Sequence, residues 1–230
     1  TMGSRSVAVG PVALNEQNFT TATNAYNTAV GYGAGEVMTT GIYNTLIGGV
    51  AGDALTDADY NVAIGYQALS TDTMGSRSVA VGNYALGNQN FSTATDSNNT
   101  AVGFYAGLNV TTGINNTLIG SLAGDALTSG GYSTAVGKGA LSTEDGHSNN
   151  TAVGYEALRD LNAGADGYNV AVGNIAGREL TTGLQNTLIG ARSGDSLTDA
   201  DYNVAVGEQS LATDTKGSGS VAIGQAALYT

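Results

Sequence analysis

Few side chains in this sequence carry obvious chemistry, and their spacing decides how each is read. The 230 residues include one histidine, His147, and no cysteine. Thiol nucleophiles, thiolate metal sites and disulfide staples are therefore excluded. His147 lies in a turn rich in Gly, Ser and Asn with no second ligand type framed beside it, which reads as a surface turn residue and not a catalytic one. Oxygen donors are more regular. Asp57, Asp59 and Asn61 recur as Asp199, Asp201 and Asn203, an alternation of hard ligands that Ca²⁺ accepts. The intervening copy carries Ser129, Gly131 and Ser133 instead, so a general cation role is not expected. The four aspartates stand as the calcium candidates, and neither a resident metal nor a cofactor is assigned. Paired carboxylates of the kind that hydrolyse glycosides meet by chance among 19 acidic residues, and solvation is the better account of them.

Tyrosines gather in turns and just after glycines. Tyr32, Tyr66, Tyr105 and Tyr155 are candidate contacts for a glycan, since exposed aromatic rings serve as anchors in recognition surfaces. Packing ladders along the turn edge are the favoured alternative. The formal charge of −12, with only 7 Lys and Arg, argues against a nucleic-acid partner, because phosphate binding rests on clustered basic residues. No apolar run reaches the length of about 18 residues needed for a membrane span.

What positions these residues is a repeat. A pentapeptide, clearest as Asn44-Thr45-Leu46-Ile47-Gly48, recurs thirteen times, with glycines mostly 17 residues apart and at most 21. A fixed period of this size marks a stacked architecture. Four coils make a longer block: TLIGGVAGDALTDADYN (45–61) returns at 117–133 and 187–203. The long coil of each block carries an insert, around Phe19 to Thr23, Phe91 to Thr95 and Asn162 to Gly167. The organisation expected is one β-solenoid repeat domain over 1–230, with four-coil super-repeats starting near 7, 79, 151 and 221. It reads as a fragment of a longer fibre.

Each pentapeptide is short, β-branched and alternating, which predicts a strand. Glycine at the strand end, as at Gly31, Gly48, Gly65, Gly120 and Gly190, fits a tight bend or a positive φ. Asn or Ser at the strand start is expected to bond its own turn and to stack as a ladder. The fourth position is always Val or Ile, so Ile47, Ile119 and Ile189 are expected to form an inward core ladder. The third, nearly always Ala, is expected to face a neighbouring chain. A second short extended piece is expected at Ala13-Leu14, Ala68-Leu69 and Ala85-Leu86. One coil buries too few side chains to offset the ordering of its backbone, so stacking must supply the difference.

The motifs Ser78-Val79-Ala80-Val81-Gly82 and Asn61-Val62-Ala63-Ile64-Gly65 resemble the head repeats of YadA-like trimeric autotransporter adhesins. The arrangement NTAVG-x-x-AL is also similar to repeat regions of phage tail-fibre proteins that carry such modules. The resemblance covers the whole chain, although typical adhesin head coils are shorter than 17 residues. It implies an all-β, left-handed parallel β-roll, assembled as an intertwined or side-by-side homotrimer outside a cell or on a virion. On that reading the chain is not an enzyme. It partners with itself and with a cell-surface glycan or protein receptor, as a tail-fibre segment first and an adhesin head second. Two other classes are weighed. Ile47-Gly48-x-x-Ala51-Gly52 looks like one hexapeptide of the left-handed β-helix acyltransferases, but one hexad per coil and no framed catalytic histidine count against it. An ice-binding ladder of Thr28, Thr45, Thr100 and Thr117 is interrupted by valines, on a face expected to be buried.

Overall fold

A computed structural model describes residues 5–229. The chain separates into two compact units, Thr1–Asn115 and Asn116–Thr230. The described residues contain no helix. In the first unit the strands are β1 (Val7–Val9), β2 (Thr28–Val30), β3 (Thr45–Ile47), β4 (Val62–Ile64), β5 (Gly75–Ser76), β6 (Val79–Val81), β7 (Thr95–Asp96) and β8 (Thr100–Val102). In the second they are β9 (Thr117–Ile119), β10 (Thr134–Val136), β11 (Thr151–Val153), β12 (Val170–Val172), β13 (Thr187–Ile189), β14 (Val204–Val206) and β15 (Val221–Ile223).

Every pentapeptide therefore supplies a three-residue strand. Within the first unit β1, β2, β3, β4, β6 and β8 pair in parallel, each with the next. Within the second, β9 to β15 do the same. The register never slips: Ala29 lies beside Leu46, and Leu46 beside Ala63. Each coil thus advances by one strand spacing, about 4.8 Å. The fold is a parallel β-solenoid of about thirteen coils. A second ladder, β5 on β7, forms where the insert after Phe91 leaves the common path, and Phe91 itself is buried.

The strand faces are opposite to the expectation. The third position is fully buried, at Ala29, Leu46, Ala63, Leu118, Ala152 and Leu188 among others. The fourth points out: Ile47 is 37% exposed, and Ile119 and Ile189 are each 39% exposed. Only the middle residue of each three-residue strand faces the interior of the coil, usually as alanine and three times as leucine. Where leucine takes that place, glycine clears it. A Cβ on Gly52 would stand 2.9 Å from a Leu46 methyl, one on Gly124 2.7 Å from Leu118, and one on Gly194 2.9 Å from Leu188. In six of the coils with alanine on the strand, the residue six positions later is a buried leucine, Leu14, Leu69, Leu86, Leu141, Leu158 or Leu211. Ala29, Ala101 and Ala171 are followed instead by Gly35, Gly107 and Gly177, and leucines of the adjacent coils reach over two of these: a Cβ on Gly35 would lie 2.7 Å from Leu46 and 3.0 Å from Leu14, and one on Gly177 2.6 Å from Leu188 and 3.0 Å from Leu158.

The Ala-Leu pairs are turns and not a second strand. Leu14, Leu69 and Leu86 hold φ of 49°, 53° and 49°, and Ala68 N bonds Gly65 O across the turn. Left-handed backbone at leucine costs about 1–2 kcal/mol. It persists because the side chain is buried and the turn backbone bonds the next coil, as Leu69 N does to Ala85 O at 3.0 Å.

The strand-end glycine answers a close approach as well as a positive φ. Gly120 has φ +134°, and a Cβ there would lie 2.5 Å from Gly137 O in the following coil. Gly31, Gly48, Gly65 and Gly190 stand in the same conformation against the next coil's glycine.

Candidate functional site

Three surfaces could do something: the outward strand face, the tyrosine edges and the carboxylate turns. Each is set by what the inside of the coil requires. The strand is anchored at its start by a buried Asn or Ser. The Asn27 side-chain oxygen accepts Asn44 N at 2.8 Å, and that of Asn44 accepts Asn61 N at 2.9 Å. Their amide groups donate 14 residues ahead, Asn27 Nδ2 to Gly41 O and Asn44 Nδ2 to Ala58 O, both at 2.7 Å. The second unit repeats this through Asn169, Asn186 and Asn203. The expected ladder is present, bonded chiefly between coils and not to its own turn.

With the third position spent on the core, the second and fourth positions form two columns on the outer face. The second is always Thr or Val and the fourth always Val or Ile, so neither column carries a charge in any coil. These side chains are partly to largely exposed within each unit. In-register pairing sets them in rows, Thr28 beside Thr45 and Val30 beside Ile47. The result is an apolar, uncharged sheet face that one chain leaves uncovered.

The tyrosines divide into two arrangements. In the first unit Tyr26, Tyr43 and Tyr60 stack, with ring centroids 5.2 and 5.1 Å apart and planes within 9°. Arg5 lies over Tyr26 at 5.4 Å and donates from Nη1 to its hydroxyl, while Arg77 lies over Tyr60 at 6.0 Å and pairs with Asp96 at 3.2 Å. These rings spend their faces on one another, as the packing alternative expects. Of the glycan candidates, Tyr66 meets Tyr84 edge-on and Tyr84 meets Tyr105, which leans on Phe104. Tyr32 is 62% exposed. Tyr155, in the second unit, has the Lys138 ammonium 5.9 Å from its ring. Its hydroxyl bonds Glu156, which raises the phenol's pKa and lowers that of the carboxylate. The four candidates do not converge on one site.

The calcium candidates are engaged as clamps between coils. Asp57 accepts the Thr40 hydroxyl at 2.6 Å and Asp59 accepts Ile42 N at 2.8 Å. Asp199 and Asp201 repeat this with the Thr182 hydroxyl and Leu184 N. Burial is the main cause that raises the Asp59 pKa, partly offset by the Ile42 N–H, with repulsion from Asp57 adding to it. Asp53 and Asp125 are also pushed up, first by burial, and each has one buried carboxylate oxygen without a hydrogen-bond partner. The third copy of that turn solves the problem, since Asp195 meets Arg192 at 3.2 Å.

His147 is not an isolated turn residue. Its Nδ1 lies 2.8 Å from Glu144, whose carboxylate is fully buried, and Asp145 is 3.8 Å from the same nitrogen. The ring folds back over the turn onto the residue three before it, a contact that linear spacing alone did not single out.

Comparison with protein-family models, curated proteins and solved structures finds no match to this chain.

Proposed function

We propose that this chain is a structural and adhesive segment of an extracellular, homotrimeric attachment fibre. A phage tail fibre is the first setting, and the head of a bacterial trimeric autotransporter adhesin is the second. The observation that carries the reading is the outer strand face. Two uncharged columns of Thr, Val and Ile repeat in register through each unit, while alanine, leucine and asparagine complete the core inside the coil. A monomer gains nothing from keeping charge off an exposed face in every coil. A partner surface does, since burial there adds the hydrophobic contribution a thin core lacks. Three chains facing inward through these columns cover them, and the left-handed winding belongs to the same proposal. Function is mechanical and adhesive, with recognition residing in exposed side chains such as Tyr32 and with no catalytic step.

The test is the assembled mass together with a substitution on the face. Ile119→Asp and Ile189→Asp place charge on the outer columns without entering the core, so they should dissociate the assembly and leave the coils folded. Aspartate at Leu118 and Leu188 does not serve, because those residues are core. A second reading gains one observation: the threonine column points outward, which the ice-binding alternative requires. Absence of ice shaping by the intact chain removes it.

A further inference from the structure

In the second unit the one imidazole of the chain meets a buried carboxylate in the turn that follows β10. We propose that Glu144, Asp145 and His147 bind one divalent cation of the zinc class. Among the described residues this is the one place where three ligand side chains converge, with their ligating atoms within 4.8 Å of one another. Tetrahedral bonds of about 2.0–2.1 Å put neighbouring ligand atoms about 3.3 Å apart. The distances from His147 Nδ1, 2.8 Å to Glu144 Oε1 and 3.8 Å to Asp145 Oδ1, straddle that value. A nitrogen with two carboxylates suits zinc better than calcium or magnesium, which take oxygen throughout.

Independent support comes from the two other copies of the same turn. Asp72 and Asp214 stand where Glu144 does, and Gly75 and Gly217 where His147 does. In all three the carboxylate caps backbone N–H groups: Asp72 accepts Gly75 N at 3.0 Å, Asp214 accepts Gly217 N at 2.9 Å, and Glu144 accepts His147 N at 3.2 Å and Ala163 N at 3.3 Å. Capping therefore requires only Asp and Gly. The longer acid, the second acid at Asp145 and the imidazole are additions to it. Asp72 is further met by the Gln89 amide at 2.6 Å, but Leu161 takes the place of Gln89 in the His147 turn and offers no donor. Both ion pairs of this carboxylate pair, among the described residues, are with His147. No lysine or arginine among the described residues pairs with either carboxylate. The part-exposed Asp145 and His147 leave the remaining position to water. A cation held here pins the turn against the following insert and stabilises the fold by mass action.

Isothermal titration of the intact chain with zinc chloride tests this, alongside His147→Gln, Asp145→Asn and, as a control, Asp199→Asn. Glutamine at 147 keeps a donor toward Glu144, and Asp145 is exposed, so folding does not depend on either. The expected result is one equivalent of zinc per chain, a higher melting temperature with zinc, and affinity reduced by about tenfold or more in both site variants. The control should bind as the parent does. No saturable binding, or affinity that survives either His147→Gln or Asp145→Asn, overturns the site.

Discussion

Leu118 occupies the space that a side chain on Gly124 would need: a Cβ there would lie 2.7 Å from a leucine methyl. The pair reappears as Leu46 with Gly52 and as Leu188 with Gly194, so in these three coils the strand leucine fills the space over the turn glycine. Gly124 also sits at φ +55°. Gly124→Ala should therefore cost roughly 1–3 kcal/mol through strain and overpacking. Adding Leu118→Ala should recover part of that loss, which a double-mutant cycle on thermal or denaturant unfolding reads as coupling. Strict additivity of the two substitutions would contradict the shared space.

The asparagine ladder makes a graded series. In Asn186→Ala, the Asn203 N–H and the Ala200 carbonyl lose their partners inside the solenoid. Each unsatisfied group costs about 1–3 kcal/mol, so a loss of roughly 2–5 kcal/mol is expected. Asn186→Ser should cost less, because Ser133 already serves in this position, its hydroxyl accepting Asn150 N at 3.3 Å. Equal losses for alanine and serine would argue against the side-chain bonds.

Asp125 gives a pH signature. Its folded pKa is raised above 3.8, chiefly by burial. Between 3.8 and the raised value the folded chain holds a proton that the unfolded chain releases, so stability grows as pH falls through that window and is diminished above it. Asp125→Asn should stabilise at neutral pH, by no more than about 1 kcal/mol because the group is half in solvent. The gain should vanish near pH 4. Leu122→Arg should achieve a similar gain by the route Arg192 takes with Asp195. Melting curves against pH check both, and a gain from Asp125→Asn that increases on acidification would reverse the sign.

Tyr43 lies between Tyr26 and Tyr60 and holds φ +59°. Asparagine tolerates that backbone and stands at the equivalent place as Asn98 and Asn115, with φ of 51° and 59°. Tyr43→Asn thus removes stacking without new strain, and a loss of roughly 1–2 kcal/mol is expected from the two ring contacts. No change in urea unfolding would mean the stack contributes little beyond solvent cover.

Much of this architecture is legible in the residues. The 17-residue glycine spacing gives the solenoid, the β-branched triplets give the strands, and Asn44 with its counterparts gives the ladder. Which face turns inward is not legible, because alternation in Thr28-Ala29-Val30 separates two faces without ranking them. Apolar character favours Val30, but the side that faces in carries Ala29 and, in register beside it, Leu46. A partial signal lies in the turn: a strand leucine, as at Leu46, is always followed six residues later by glycine, whereas a strand alanine is followed there by leucine in seven coils and by glycine at Gly35, Gly107 and Gly177. The turn at Ala68-Leu69 is illegible for a different reason. Leucine rarely adopts a positive φ, and burial of its side chain together with hydrogen bonds to the adjacent coil holds it there. The contact of His147 with Glu144 comes from an i to i+3 turn whose two other copies carry glycine in place of the histidine, so the repeat does not announce it.

The outer strand face as a self-association surface is tested most directly by the mass of the chain in dilute solution, measured by light scattering or sedimentation equilibrium on the parent and on the Ile119→Asp, Ile189→Asp variant. A trimer built through these columns gives about three times the mass of one chain for the parent, and a folded, smaller species for the variant. A parent that is a well-folded monomer, or a variant that keeps the trimer mass, would contradict it.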